Sequence, residues 1–328
     1  MSPALKALDE PEKSRVVEEK TPDWVNPMLA TLTHDHFDDS DWIYERKLDG
    51  QRCLIFKDGD GVKIYSRNQN LLNDKYPELL DALEQAASES YVADGEIVVM
   101  EDGVSNFAAL QPRMHSSQPD LSIPVHLYLF DLLHFDGHKL TELPTRTRKK
   151  LLKSSLNFQD PLRYTQHRNE SGLAYLEHAC RKNWEGLIAK DAEAPYRHSR
   201  SKKWLKFKCD NRQEFVVCGF TEPSGSRVGF GALLVGVYED DKLRYCGRVG
   251  TGFDDDFLES FRETLDQIED ECPIDLGKPG DEAIHWVKPE KVVEVSFTEW
   301  TSEWKLRHPS FIGLRNDKNA TDVVREGA

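Results

Sequence analysis

Two strand-like segments, 42–46 and 52–57, enclose the hexapeptide Lys47-Leu48-Asp49-Gly50-Gln51-Arg52. This junction sets an amine beside a carboxylate, a glycine and a guanidinium, at the point where one strand gives way to the next. A lysine becomes a nucleophile only when it can lose its proton, and nearby positive charge lowers its pKa. Such a segment can attack a phosphoryl group and carry a nucleotide covalently. Taken in isolation, a surface salt bridge between Lys47 and Asp49 accounts for the same residues, so the rest of the chain has to decide.

The elements around the hexapeptide read as a mixed fold. Asp58-Gly59-Asp60-Gly61 is a hairpin signal with a return strand over 62–66. Leu79, Leu80 and Leu83 predict a helix over 76–87. Segments 91–100 and 126–134 read as strands, 143–152 and 172–182 as helices, and 186–190 and 204–208 as short strands. Near residue 210 the character changes. Strands over 214–221, 232–239, 242–249 and 292–300 are joined by glycine and Asp-Asp turns, with one helix over 254–270 between them. Four or five strands and one helix suit a small closed barrel of the OB type, and a sandwich fits the same spacing. The expectation is an α+β chain. Residues 1–22, charged and proline-bearing, form a flexible tail. Residues 23–211 form a domain of antiparallel sheets with flanking helices, and 212–328 form the barrel domain.

A net charge of −15 speaks against a nucleic-acid binder at first sight. The distribution says otherwise. Residues 197–208 are strongly basic with aromatics interleaved, and 146–153 is basic at helical spacing. Acids concentrate over 254–259 and 269–271, as on a solvated helix face. A globally acidic chain can present one basic groove to DNA. The six cysteines, Cys53, Cys180, Cys209, Cys218, Cys246 and Cys272, include no CxxC pair, so reduced and mostly buried thiols are expected. The N-terminus lacks an apolar leader and no stretch reaches membrane-spanning length, which together predict a soluble cytoplasmic protein. His34, His36, His115 and His285 have no metal-ligand partners at useful spacing. The glycines between 225 and 231 lack the lysine and the spacing of a phosphate loop.

Reading forward from Lys47, charged groups recur at the ends of predicted strands. Arg67 follows one, and Asp94-Gly95-Glu96 sets carboxylates inside another. Phe130-Asp131 puts an aromatic in a third, and Glu185 directly precedes Gly186-Leu187-Ile188-Ala189-Lys190. Lys206 and Lys208 alternate with Leu205 and Phe207, so the two lysines share a face. Gathered in one cleft, these groups supply what nucleotidyl transfer demands. An amine attacks the α-phosphorus, carboxylates hold a divalent metal, cations neutralise phosphate oxygens, and an aromatic stacks on the base.

The order and content of these motifs resemble the covalent nucleotidyltransferase superfamily of ATP-dependent DNA ligases, RNA ligases and capping enzymes. The resemblance runs from about residue 27 to 318 and is nearest to the ligase domain of bacterial end-joining ligase D. Three stretches carry that likeness: Pro27-Met28-Leu29-Ala30, residues 225–234, and Gly247-Arg248-Val249-Gly250-Thr251-Gly252-Phe253. A fourth, residues 307–318, matches the family's last motif. The chain seen here looks like a stand-alone ligase.

The resemblance implies roles position by position. Lys47 is the adenylated nucleophile, and Glu45 lies where the family meets adenine. Arg52 and Arg67 contact the ribose and phosphates, Glu96 the ribose hydroxyl or the metal, and Phe130 the adenine ring. Glu185 holds Mg2+ or Mn2+. Lys206 and Lys208 bind the α-phosphate and depress the pKa of Lys47. Arg315, Asp317 and Lys318, delivered by rotation of the barrel domain, orient the pyrophosphate. The expected cofactor is ATP, carried as covalent AMP, and the expected partner is nicked or broken duplex DNA. A Ku-like end-binding protein assists a monomeric enzyme working in repair or end joining. Two alternatives stay open: an RNA ligase or other nucleotidyltransferase of the superfamily, including a GTP-using capping enzyme, and a non-catalytic nick-binding module.

Overall fold

Strands over 51–58 and 91–98, apolar enough to be buried on both faces, build the centre of a seven-stranded sheet. In this computed structural model, which describes residues 1–116, 118–209, 211–277, 279 and 283–326, the chain divides into two units, Met1–Cys209 and Asp210–Ala328. Within the first unit, strand Gln51–Asp58 pairs antiparallel with Gly61–Ser66 and with Tyr91–Val98, which pairs in turn with His126–Phe135. One face of this sheet contributes Cys53, Ile55, Ala93, Ile97, Leu127 and Leu129 to the main core. Leu79 and Leu83, Phe107 and Leu110, and Leu151 and Leu152 close it from three helices, Pro77–Glu84, Phe107–His115 and Thr145–Ser155. Each such side chain contributes about 1.5–3 kcal/mol on burial. The opposite face gives Leu54, Phe56, Val92 and Phe130 to a smaller cluster with Met28, Tyr196 and Trp204.

A five-stranded sheet runs in the order His167–Arg168, Trp42–Lys47, Gly186–Asp191, Arg200–Lys208, Leu29–Leu32, the last pair parallel. Tyr44, Leu187, Ala189 and Phe207 point to one face, where Tyr175, Leu176 and Ala179 of helix Gly172–Arg181 cover them. Strand alternation therefore turns Glu45, Lys47, Lys190, Trp204, Lys206 and Lys208 to the other face. Trp204 joins the small cluster of the seven-stranded sheet, so that face looks onto it. The hydrophobic pattern of the sheet thus decides where the charges gather.

Residues 1–22 are not a flexible tail. Ser2 and Asp9 cap two short helices, Pro3–Lys6 and Glu10–Lys13, with Leu5 and Leu8 inserted in the main core. Strand Val17–Glu18 pairs with His138–Lys139. A four-residue helix shows no 3.6-residue repeat, so periodicity has nothing to register. The basic run 146–153 is no basic groove over its middle: Arg148 and Lys149 are fully buried. Arg148 donates to both oxygens of the equally buried Asp131, at 2.7 and 2.9 Å. Nor are all cysteines reduced. Cys180 and Cys209 form a disulfide, while Cys53, Cys218 and Cys246 are free and buried.

In the second unit, Leu233–Glu239 and Val292–Phe297 flank Asn211–Thr221, Lys242–Val249 and Ser310–Leu314 lie outside them, and Ile284–Trp286 also pairs with Asn211–Thr221. All these pairings are antiparallel. Helix Asp255–Asp266 buries Leu258, Phe261 and Leu265 and presents its acids outward. It stops short of the expected residue 270. The strand expected over 292–300 breaks at Thr298, and Glu299–Trp300 forms a hairpin with Leu306–Arg307. No helix among the described residues is long and apolar enough to cross a membrane.

Candidate active site

Lys47 ends its strand where the chain leaves the five-stranded sheet for the seven-stranded one through Leu48-Asp49-Gly50. This passage is tight. A Cβ on Gly50 would lie 2.2 Å from the Ile97 carbonyl oxygen, so only glycine fits. The Asp49 amide donates to Ser105 Oγ at 3.0 Å, which fixes the loop from its outer side.

Register then places the charges. Lys47 is level with Gly186, and Gly186 with Lys208, so the two lysines face each other across a residue with no side chain. At strand spacing their backbones lie roughly 10 Å apart. Gly186 has φ +144° and its missing Cβ would sit 2.0 Å from the Phe207 carbonyl oxygen. Glu45, Ile188 and Lys206 form the next row, and Ile43, Lys190 and Trp204 the one beyond. Glu185, just ahead of Gly186, is almost wholly buried and accepts a short hydrogen bond from Lys47 Nζ.

Glu45 is buried and touches two ammonium groups, Lys149 at 2.5 Å and Lys190 at 2.7 Å. Burial alone would raise its pKa. The two lysines more than offset that, and the carboxyl lies below its ordinary value. Burial pushes the Lys190 ammonium down to about 8, with Glu45 pulling the other way and Lys149 adding repulsion. These contacts are close ion pairs rather than straight hydrogen bonds: Glu45 Oε1 and Lys190 Nζ have no well-aligned partner. Lys190 Nζ stands 4.5 Å from the centre of the Phe130 ring and 4.1 Å from that of Trp204. His167, level with Glu45, is driven to about 4 by burial and by Lys149, and so is neutral at ordinary pH.

Arg52 closes the opposite wall. Its Nε and Nη2 each donate to Asp94 at 2.6 Å, and its guanidinium lies 4.6 Å from the Phe130 ring centre. The Tyr196 hydroxyl also donates to Asp94, at 2.6 Å. Burial works against the Arg52 cation, and fully buried Asp94 outweighs it, holding the pKa above its ordinary value. Glu96 is level with Arg52 on the neighbouring strand and adds to the same field. Arg67 follows the strand Gly61–Ser66 directly.

The first unit thus assembles Glu45, Lys47, Arg52, Glu96, Phe130, Glu185, Lys206 and Lys208 on facing sheets. Arg315, Asp317 and Lys318 belong to a network of the second unit. Arg315 donates to Asp317 at 2.9 and 3.0 Å and to Glu294 at 3.1 Å, and Lys318 pairs with Glu214 at 2.9 Å. Burial would raise the Asp317 carboxyl, but Arg315 overrides it and lowers the pKa. Sequence reasoning missed Lys149, Lys190 and Tyr196 as parts of the site. Lys190 stood in the quoted Glu185 motif, whereas Lys149 was masked by its basic neighbours.

Among the described residues, no three His, Cys, Asp or Glu side chains cluster so as to hold a metal alone. One or two carboxylates, with the remaining oxygens from phosphate and water, is the usual Mg2+ arrangement. Glu185 beside Lys47 fits an ion that arrives on a nucleotide.

Residues 27–208 match the family model of the ATP dependent DNA ligase domain, and 226–318 match that of the ATP dependent DNA ligase C terminal region. The multifunctional non-homologous end joining protein LigD of Pseudomonas aeruginosa is 36% identical over 314 residues, covering 93% of this chain and 37% of that protein. Its counterpart from Mycobacterium tuberculosis is 36% identical over 307 residues, covering 92% and 40%. The chain therefore spans well under half the length of these relatives. A DNA ligase of Natronomonas pharaonis is 32% identical over 301 residues, covering 85% and 52%. Among solved structures, mycobacterial DNA ligase D complexed with ATP and MES superposes with a TM-score of 0.66 at 34% identity, covering 92% of this chain and 98% of that one.

Proposed function

Because this chain belongs to the ATP-dependent DNA ligase family, we propose that it seals nicks between a 5′-phosphate and a 3′-hydroxyl through a covalent Lys47–AMP intermediate. The observation that carries the reading is the Lys47–Gly186–Lys208 row with Glu185 bonded to the Lys47 amine. Lys47 Nζ, once deprotonated, attacks the α-phosphorus of ATP; a P–N bond forms and pyrophosphate leaves. The 5′-phosphate then takes the AMP, and the 3′-hydroxyl displaces it to close the strand. Each step is in-line phosphoryl transfer, in which positioning and charge neutralisation do most of the work.

Phe130 offers a stacking surface for adenine. Beside it, Glu45 presents an acceptor and Lys190 a donor, which complement the amino group and the ring nitrogen of adenine's pairing edge. Guanine reverses that pattern. Lys206 and Lys208 neutralise the α-phosphate, Arg52, Arg67 and Glu96 face the sugar and phosphates, and Arg315, Asp317 and Lys318 orient the pyrophosphate. Glu185 and Glu96 would hold Mg2+ or Mn2+, which supplies charge neutralisation at the phosphate oxygens when bound. The working substrate is nicked or broken duplex DNA, in repair or end joining, with a monomeric enzyme acting beside a Ku-like end-binding protein in the cytoplasm at the nucleoid.

The test is covalent labelling with α-labelled ATP, and separately GTP, in the presence of magnesium, followed by a nicked duplex. The expected result is an ATP-specific label that the nick removes with sealing, and none on Lys47→Ala. Undiminished labelling of that variant, or label from GTP in the native protein, would refute the assignment.

A further inference from the structure

We infer that Lys149 is a positioning residue of the base pocket, holding Glu45 in place so that both Glu45 and Lys190 are available to the base. The inference rests on the reading of Glu45 and Phe130 as the adenine site. Lys149 comes from helix Thr145–Ser155 and is fully buried. Its ammonium reaches three walls of the pocket: the Glu45 carboxylate at 2.5 Å, the Thr165 carbonyl oxygen at 2.9 Å and the Phe130 carbonyl oxygen at 3.4 Å. The ring of Tyr164 lies 4.7 Å from it. One group therefore ties the base-edge carboxylate to the backbone of the base-stacking residue.

Charge counting gives the reason. Glu45 needs one cation to be neutralised and has two, both buried. The neighbouring carboxylate, Asp131, is committed to Arg148. A buried cation beyond neutrality is costly, and it is retained only where something offsets it. With Lys149 as the standing counter-ion, Glu45 stays ionised and oriented without the help of Lys190. The Lys190 amine is then at liberty to donate to a ligand. Without Lys149, Lys190, already 2.7 Å from Glu45, would be its sole counter-ion, and the two would align into a hydrogen-bonded pair that takes acceptor and donor away from the base together.

The experiment compares single-turnover labelling of the full chain by α-labelled ATP and GTP for the native protein, Lys149→Met, Glu45→Gln and the double variant, with thermal unfolding in parallel. Lys149→Met is expected to raise KM for ATP about tenfold, the worth of a hydrogen bond to a charged group. It should cut the ATP-over-GTP preference by a similar factor, with kcat moving much less. In the Glu45→Gln background the same change should add almost nothing, because Lys149 acts through Glu45. Lys149→Arg, which keeps the charge, should retain the preference even if it is less stable. Native base preference in Lys149→Met, with Glu45→Gln impaired, would reduce Lys149 to a structural ion and overturn the inference. So would a Lys149→Arg protein no more selective than Glu45→Gln. Unchanged base choice in Glu45→Gln itself would instead remove the adenine-site reading, and the inference with it.

Discussion

Gly186→Ala puts the register of the site to its sharpest test. The added Cβ would stand 2.0 Å from the Phe207 carbonyl oxygen and 2.9 Å from Lys208 Cα. Contacts of this kind ordinarily begin near ~3.2 Å, since carbon atoms settle at about 3.5–4 Å. One backbone or the other must therefore shift by roughly 1 Å. That shift falls between Lys47 and Lys208, the row proposed above to frame the reaction. A misplacement of about 1 Å at a reacting centre costs about 10²-fold in rate. The backbone at φ +144° adds about 1–3 kcal/mol of strain for any residue with a side chain. For a unit of this size that corresponds to a fall in Tm of roughly 2–12 °C. The assay is single-turnover formation of the labelled protein at saturating ATP, well below the variant's Tm. A variant labelled within about threefold of the native rate would show that the row does not set the chemistry.

Two further outcomes follow from packing. Asp131→Ala strands the fully buried Arg148; it should cost about 3–5 kcal/mol in calorimetry, and the paired change Asp131→Leu with Arg148→Met should recover most of that. A loss under about 1 kcal/mol would contradict the pairing. Removing residues 1–18 takes Leu5 and Leu8 from the main core and strips one of the two strands that pair with His138–Lys139. Thermal unfolding of the truncated chain is expected several degrees below the native value, and an unchanged Tm would restore the picture of a tail.

The candidate site residues could be picked out in the sequence because they sit at strand ends and their spacing is local. Lys206 and Lys208 announce a shared face through alternation alone, and Lys47 to Arg52 form one contiguous stretch that joins two strands. What was hidden depends on pairings that spacing does not reveal. Arg148 and Lys149 look like surface charge until Asp131 and Glu45 arrive from distant strands to meet them. Cys180 and Cys209 carry no local signature of their bond. Helix Phe107–His115 contains Pro112, which argues against a helix when read from sequence. Leu29–Leu32 is an edge strand half exposed along its whole length, so neither period shows. Local order is thus readable where hydrophobic rhythm and turn chemistry agree, and lost where a buried charge borrows its partner from elsewhere.

The Cys180–Cys209 bond has a topological consequence. It closes the backbone between those residues into a covalent circle that contains Glu185, Gly186, Lys190, Lys206 and Lys208. The polypeptide enters and leaves this circle at a single bond. Cutting the backbone once anywhere inside it, for instance in the stretch between strands Gly186–Asp191 and Arg200–Lys208, would not release either strand. The half carrying Glu185 and the half carrying Lys206 and Lys208 would remain one molecule, separable only after reduction.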